Sequence, residues 1–221
     1  MLLALELLTA DELQQAQRLL AEAPWEEGTK TAGSQARSVK RNRQIVAGSA
    51  AERALQALVL GALERSPAFL SAALPRRVLP PRFNRYGGEL NTYGEHVDQA
   101  VRYHEGQALR TDVSATLFLS EGYEGGDLVI RHSFGEERIK LPAGSLILYP
   151  SGSLHRVEPV TQGERLAAFF FIESLVPDTE QRRLLHELDQ TLIALRSRDG
   201  DSAESVALMG TYHDLLRMWT R

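Results

Sequence analysis

Cysteine is absent from this chain of 221 residues, and the absence excludes several classes of chemistry at once. A disulfide framework, a thiolate metal site and a cysteine nucleophile are all ruled out. The absence also fits a reducing compartment, so we expect a cytoplasmic protein. A catalytic site in this chain must therefore rely on other groups, such as imidazole and carboxylate.

Long hydrophobic runs and an excess of positive charge are missing as well. The apolar N-terminus is interrupted by Glu6 and no basic residue precedes it, so it makes a poor signal peptide. The longest apolar stretch, residues 166–172, has the length of a buried strand and not the roughly 20 residues of a membrane span. The formal net charge of −4 argues against binding to the phosphate backbone of a nucleic acid. We therefore expect neither a membrane segment nor a nucleic-acid partner.

The order of local patterns predicts helices, then strands, then helices. Thr9 and Ser49 each open a Thr/Ser-x-x-Glu capping box before apolar residues at helical spacing. From about residue 76, short β-rich runs alternate with Gly, Pro and Asn, which is typical of a sandwich or jelly roll. We predict an α+β chain with a mainly β core: an N-terminal helical support region (1–75), the β core (76–176) and a C-terminal helical region (177–221). The pattern leaves the oligomeric state open.

Three residues in the predicted β core suggest a metal site. His96 and Asp98 are two positions apart, so on a strand they would share one face. A second histidine would complete the two-His, one-carboxylate facial triad of non-heme Fe(II) oxygenases. His155 is the candidate, because it follows a tight Pro/Ser/Gly turn at the start of a strand. The remaining histidines are expected to be structural or solvated: His104, His132, His186 and His213.

Arg165 is the candidate anchor for an anionic co-substrate. It lies ten residues after His155, at the start of an apolar strand. There its guanidinium could make two parallel hydrogen bonds to a carboxylate. The alternative is a surface arginine beside Glu164. Tyr86 and Tyr93 are candidates for the same site or, equally, core aromatics with a polar tip.

A basic stretch runs from Arg37 to Arg43. The default interpretation of such a charge run is a solvated loop. We keep it as a weak candidate for shaping the mouth of a substrate site.

Several motifs together resemble the bacterial PKHD-type hydroxylases, which belong to the prolyl-4-hydroxylase-like Fe(II)/2-oxoglutarate dioxygenases. They are FNRYGGELNTYGEHVD (83–98), RTDVSATLFLS (110–120), YEGGDLVI (123–130), the LPAG…YPS…LHRV run (141–157) and GTYHDLLRMW (210–219). The resemblance covers nearly the whole chain. It implies a double-stranded β-helix, the iron ligands His96, Asp98 and His155, and Arg165 as the 2-oxoglutarate anchor.

The resemblance also implies further features of the site. Tyr86, ten residues before the first iron histidine, has the spacing of a co-substrate contact, and Phe118 stands where some relatives have a tyrosine. The implied cofactors are Fe(II), 2-oxoglutarate, O₂ and L-ascorbate. The implied substrate is a prolyl or lysyl position in a peptide, or a small molecule linked to iron uptake.

Two other functions remain open on the sequence. A cupin-like metal enzyme without 2-oxoglutarate is disfavoured because cupins commonly carry His-x-His with a nearby Glu, whereas this chain has His-x-Asp. A non-catalytic ligand-sensing β-barrel is disfavoured because it would not need a complete triad with open coordination positions.

Overall fold

A computed structural model describes residues 2–31 and 38–221 of the chain. Its helices are α1 (Ala10–Glu22), α2 (Ala50–Glu64), α3 (Pro67–Ala73), α4 (Thr179–Asp199) and α5 (Ala203–Trp219), with a 3₁₀ turn at Gly28–Thr31. Its strands are β1 (Leu3–Glu6), β2 (Trp25–Glu27), β3 (Lys40–Arg41), β4 (Arg43–Ile45), β5 (Pro75–Val78), β6 (Arg82–Tyr86), β7 (Thr92–His96), β8 (Val101–His104), β9 (Gln107–Arg110), β10 (Val113–Phe118), β11 (Glu124–Gly125), β12 (Leu128–His132), β13 (Gly135–Ile139), β14 (Ser145–Pro150), β15 (His155–Val157), β16 (Val160–Gln162) and β17 (Arg165–Ser174). None of the described helices is long and apolar enough to cross a membrane.

Two antiparallel sheets form the core. The major sheet has the order β1-β14-β10-β17-β6-β4-β2, with β5 paired to the far half of β17. The minor sheet has the order β13-β12-β15-β7-β3. The hairpin β8–β9 and the short pair β11–β16 complete the strands of the described residues. Among the described strands, no two consecutive ones are neighbours along the main path of the major sheet, and in the minor sheet only β12 and β13 are. This is the topology of a jelly roll.

The central strands of the major sheet are buried on both faces. In β10 all six residues are buried. Ala115 and Leu117 pack outward into the hydrophobic cluster with the helices, whereas Ser114 and Thr116 point into a cavity between the sheets. Strand alternation thus divides one apolar-looking run into a structural face and a cavity face.

The helices α1, α2 and α3 cover the outer face of the major sheet. Leu20, Leu55 and Phe69 are almost fully buried and belong to the same cluster as Phe170 of β17. This packing explains why the amphipathic N-terminal helices form: each hides its apolar stripe on the sheet.

The two predicted capping boxes have different outcomes. At Thr9 the box is complete, because the Thr9 N–H donates to Glu12 (2.9 Å) and the Glu12 N–H donates to the Thr9 hydroxyl (3.3 Å). At Ser49 only the first half forms, where the hydroxyl accepts from the Glu52 N–H (3.1 Å). The buried Glu52 carboxylate instead accepts from the Gly48 N–H and pairs with Arg82.

The N-terminal region is more than a helical support. It contributes β1, β2 and β4 to the major sheet and β3 to the minor sheet. Sequence patterns did not indicate these strands, since each is two to four residues long and all but β2 are held by partners far along the chain, such as Leu148 opposite Leu3. The boundaries at 75 and 176 themselves stay a prediction.

The C-terminal helices pack against the end of the β core. Leu185 of α4 is fully buried with Leu74 and Val176, and Trp219 of α5 packs against this group. Arg182 is also buried, and its guanidinium donates to the carbonyls of Val176 and Pro177 (both 2.7 Å). The predicted C-terminal helical region therefore packs on the β core through these residues.

Replacing Leu185 by Ala should destabilise the protein, because its side chain is 0 % exposed and its loss leaves a cavity. We expect a cost of about 2–5 kcal/mol in the free energy of unfolding, measured by urea denaturation. Leu184→Ala is the matched control, since the neighbouring side chain is 46 % exposed and should change stability by less than about 0.5 kcal/mol. Equal effects of the two variants would contradict this packing of α4.

Candidate metal centre

The three candidate ligands meet at the pairing of β7 with β15. His96 ends β7, His155 begins β15, and the two residues are direct partners in the antiparallel ladder. Asp98 follows two residues later, while the intervening Val97 is half exposed. One ligand atom from each residue lies within 4.8 Å of the others, and His155 Nε2 is 3.7 Å from Asp98 Oδ2. The structure thus brings together the residues that spacing predicted.

Backbone carbonyls orient both imidazoles in the same way. Nδ1 of His96 is 2.8 Å from the carbonyl oxygen of Gly94, and Nδ1 of His155 is 3.0 Å from that of Ser153. Because a carbonyl can only accept, each Nδ1 carries the proton and each Nε2 keeps a free lone pair. This is the arrangement that prepares histidine as a metal ligand.

Hydroxyl groups hold the carboxylate. The Ser114 hydroxyl donates to Asp98 Oδ2 over 2.6 Å, and it shares a second hydrogen bond of 2.8 Å with the Ser151 hydroxyl. Both serines are buried. The carboxylate is consequently held in one position before any metal arrives.

The electrostatic surroundings keep His96 neutral. Burial, reinforced by the nearby His155, lowers the pKa of His96 to about 3. The ring of Tyr93 is stacked on it, with centroids 3.6 Å apart. The neutral imidazole, which is the form that binds a metal, is therefore the form present at neutral pH.

Arg165 lies deep in the cavity that the triad faces. It is 1 % exposed, and its partner across the strand pair is Tyr86. Its guanidinium lies over the rings of Tyr86 and Phe118, at 5.3 and 5.1 Å from their centroids. Among the described residues, Nε and Nη2 of Arg165 have no hydrogen-bond partner. A buried cation with unused donors is costly, so this end of the cavity fits an anion such as a carboxylate.

Gly126 makes room for that arginine. Its φ is +70°, and an added Cβ would come within 3.1 Å of Arg165 Cδ and of the Tyr123 ring. The Tyr123 hydroxyl is buried as well and has no hydrogen-bond partner in the described part of the chain. Three unused polar atoms, two from Arg165 and one from Tyr123, therefore belong to neighbouring side chains beside Gly126.

Sequence reasoning missed several residues of the cavity. Tyr149 presents its ring edge to His155, at 5.1 Å between centroids, and burial raises its pKa. Its position could have been found from strand alternation, because Ile147 and Tyr149 both point inward from β14. Tyr123, whose ring lies beside Gly126, was given no role either, although it is part of the Tyr-Glu-Gly-Gly motif of the resemblance.

The basic stretch is divided by the fold. Arg37 lies outside the described residues, and Arg41 and Arg43 are exposed. Lys40 is 4 % exposed and lines the cavity. Burial, with help from Arg102 and Arg82, lowers the pKa of Lys40 to about 7. A residue expected in solvent is thus part of the site.

The two candidate tyrosines both line the cavity. Tyr86 is 1 % exposed and its hydroxyl accepts a hydrogen bond of 3.2 Å from the Asn84 amide. Tyr93 is half buried against His96. The other histidines lie outside the triad, as expected: His104, His132 and His213 are exposed, and His186 is hydrogen-bonded to Ser71.

Two protein-family models and many known proteins match this chain. The model of the 2OG-Fe(II) oxygenase superfamily matches residues 81–173, and that of the PKHD-type hydroxylase C-terminal domain matches residues 179–220. A PKHD-type hydroxylase of Verminephrobacter eiseniae is 53% identical, over 99% of this chain and 98% of the relative. One from Polaromonas sp. is 54% identical, over 99% of both chains.

The chain belongs to the PKHD-type hydroxylases. It is a 2-oxoglutarate-dependent iron dioxygenase, and Fe(II), 2-oxoglutarate and O₂ are the cofactors and co-substrates of that class. The predicted family and reaction class are confirmed, and the cupin and sensing-barrel alternatives are not favoured.

Solved structures confirm the fold of this PKHD-type hydroxylase. A Pseudomonas putida prolyl-4-hydroxylase is similar over 78% of this chain and 92% of its own, with 22% identity and a TM-score of 0.53. A Trichoplax adhaerens prolyl hydroxylase, solved with a hypoxia inducible factor peptide fragment, is similar over 83% and 86%, with 17% identity and a TM-score of 0.56. The predicted jelly-roll class with flanking helices is confirmed.

The lowered pKa of His96 predicts a pH-dependent stability of the metal-free chain. Above about pH 6.5 the imidazole is neutral in both the folded and unfolded states. As the pH falls from 6.5 toward 3, the unfolded state binds a proton that the folded state excludes, so stability is lost. Urea denaturation at pH 7 and pH 5 should show a smaller loss for His96→Gln than for wild type. The exposed-site control His213→Gln should follow wild type, and identical losses in all three would contradict the assignment.

Proposed function

We propose that His96, Asp98 and His155 hold the iron of this dioxygenase and that Arg165 binds the distal carboxylate of 2-oxoglutarate. The observation that carries the proposal is one arrangement: three ligand atoms within 4.8 Å of one another, facing a cavity that ends in a buried arginine with unused donors. Two histidines and one carboxylate leave coordination positions open for further ligands.

When bound, the iron and 2-oxoglutarate supply the activation of dioxygen and the hydroxylation of a substrate C–H bond, with release of succinate and CO₂. The protein supplies position and surroundings. The Gly94 and Ser153 carbonyls hold the Nδ1 protons, so that both Nε2 atoms face the metal site. Ser114 restrains the Asp98 carboxylate. The aromatic wall of Tyr86, Phe118 and Tyr149 limits the access of water.

Arg165 would form a two-pronged, charge-assisted pair with a carboxylate. Its Nε and Nη2 atoms are both unused, which suits the fork geometry of guanidinium and carboxylate. Tyr86 and Phe118 fix the plane of the guanidinium from the sides. Tyr123, whose hydroxyl is also unused, is a second contact that we assign to the same carboxylate.

Two further parts of the assignment concern the reductant and the location of the protein. Ascorbate as a reductant that keeps the iron ferrous is supported by its typical use in this family. A cytoplasmic location is supported by the absence of cysteine. The substrate, a peptide or a small molecule, must enter the cavity between the two sheets.

Removing the carboxylate of the triad should abolish tight metal binding. We expect Asp98→Ala to weaken Mn(II) binding by more than about 100-fold, because loss of a direct ligand should exceed the effect of losing an outer-shell partner. Electron paramagnetic resonance of free Mn(II) measures the affinity without turnover. Glu95→Ala is the control, since this nearby carboxylate faces Arg131 on the surface and should leave the affinity unchanged. Wild-type affinity in Asp98→Ala would contradict the ligand assignment.

Arg165→Ala should leave metal binding nearly intact and weaken 2-oxoglutarate binding. Loss of a desolvated charge-assisted pair costs about 2–5 kcal/mol, or roughly 30-fold to several-thousand-fold in Kd. Arg165→Lys keeps the charge without the fork and should recover only part of the loss. An anaerobic titration of the Fe(II)–2-oxoglutarate absorbance measures the midpoint.

Arg85→Ala is the matched control for the co-substrate anchor. Arg85 lies on the neighbouring strand β6 but pairs with Glu164 at the surface. Its loss should not move the 2-oxoglutarate midpoint. An unmoved midpoint in Arg165→Ala would remove Arg165 from the site.

A further inference from the structure

A second pair of basic side chains lines the cavity away from Arg165. Lys40 reaches it from β3 and Arg102 from the hairpin strand β8. The Arg102 guanidinium lies 4.5 Å from the centroid of Phe171, and Lys40 Nζ lies 5.7 Å from that of Phe169. Both aromatic residues belong to β17, the strand that begins with Arg165.

Arg165 and Arg102 lie at opposite ends of one row of side chains, and Lys40 lies between them, beside Phe169 and Tyr93. Residues 165, 167, 169 and 171 of β17 all line the cavity, as alternation requires. Six residues of strand separate Arg165 from Phe171, which is about 20 Å at 3.3 Å per residue. The distal carboxylate that Arg165 holds in the proposed function is therefore remote from the end of the row where Arg102 lies.

Arg102 connects the triad cavity to a second one. The second cavity lies toward the hairpin and is lined, among others, by Glu52, Arg82, Arg102, Tyr103 and Phe169. Arg102 and Phe169 line both spaces. A substrate entering from the hairpin side would pass Arg102 before it reached the metal.

The carboxylates around these two cavities already have partners. Among the described lining residues, the acidic ones are Asp98 and Glu52. Glu52 Oε1 lies 3.4 Å from Arg82 Nε, and the Glu52 carboxylate also accepts a hydrogen bond from the Gly48 N–H. Asp98 attracts both Arg102 and Lys40 electrostatically, but in the proposed function its charge also serves the metal. Nε of Arg102 is buried without a hydrogen-bond partner in the described residues.

We propose that Arg102 and Lys40 bind an anionic, carboxylate-class group of the substrate, whose neighbouring apolar part lies on Phe169 and Phe171. The inference rests on the proposed function and names the substrate class of that site. The rings of Phe169 and Phe171 meet edge to face, with centroids 6.0 Å apart, and offer an apolar surface beside the two basic groups. Two desolvated basic groups next to an aromatic surface favour an acid over its neutral counterpart, because the bound anion stabilises their charged forms.

Benzoate and benzamide are suitable probes, because they share a ring and differ in charge. The full chain is loaded anaerobically with Fe(II) and saturating 2-oxoglutarate, so that the Arg165 end is filled, and each probe is titrated by calorimetry. We expect wild type to bind benzoate at least about tenfold more tightly than benzamide. Arg102→Gln should lose most of that preference while benzamide binding changes by less than twofold.

Lys40→Met is the second variant, since it keeps the length of the buried side chain and removes the charge. It should also weaken benzoate selectively. Arg41→Gln is the matched control, because Arg41 is the exposed neighbour of Lys40 on the same strand, and it should behave as wild type. The 2-oxoglutarate titration is repeated for every variant, and its midpoint should not move.

Three results would overturn the inference. Equal wild-type affinities for benzoate and benzamide would show that the cavity does not select an anion. A benzoate preference that survives in both Arg102→Gln and Lys40→Met would mean that the carboxylate binds elsewhere, for example on the iron. A wild-type chain that takes up no 2-oxoglutarate would contradict the proposed function and the inference together, so the co-substrate titration separates the two failures.

Discussion

The pairing of β7 with β15 is the constraint on which the whole site depends. It makes His96 and His155 direct partners, and a slip of one residue would turn one of them to the outer face. Side chains beyond the ladder secure this register: the Thr92 hydroxyl donates to the Val157 carbonyl at 2.8 Å, and the Asn91 amide donates to the Val160 carbonyl at 3.1 Å. The imidazoles are then aimed by carbonyls two residues before each of them. Metal-site geometry is thus a property of strand pairing.

Burial of Arg165 is the second constraint, and it works against stability. A guanidinium at 1 % exposure with two unused donors would lower the free energy of unfolding compared with an apolar residue of similar size. The fold tolerates it through the rings of Tyr86 and Phe118, and through Gly126, which leaves space for the arginine stem. A local conflict with core packing of this kind is typical of a binding site.

Local spacing was enough to predict that His96, Asp98 and His155 come together and that Arg165 is buried at the head of its strand, because strand alternation and the turn before His155 act over a few residues. The β core and the flanking helices followed from periodicity for the same reason. The strands β1 to β4 could not be predicted, because their pairing depends on partners far along the chain. Lys40 was missed for a related reason: a charge run suggests solvent, and only the pairing of β3 with β7 carries that one side chain into the cavity.

Strand β17 unites the stability of the fold with both ends of the cavity. Its outward residues Ala168, Phe170 and Ile172 are buried in the cluster that the N-terminal helices complete. Its inward residues run from Arg165 to Phe171 and reach from one group of cations to the other. Because both faces of β17 belong to the same backbone, any shift of the strand against the helices moves Arg165 and Phe171 together relative to the triad. The helices that cover the major sheet therefore set the distances between Arg165, Phe171 and the triad, although none of α1, α2 and α3 supplies a side chain to the triad.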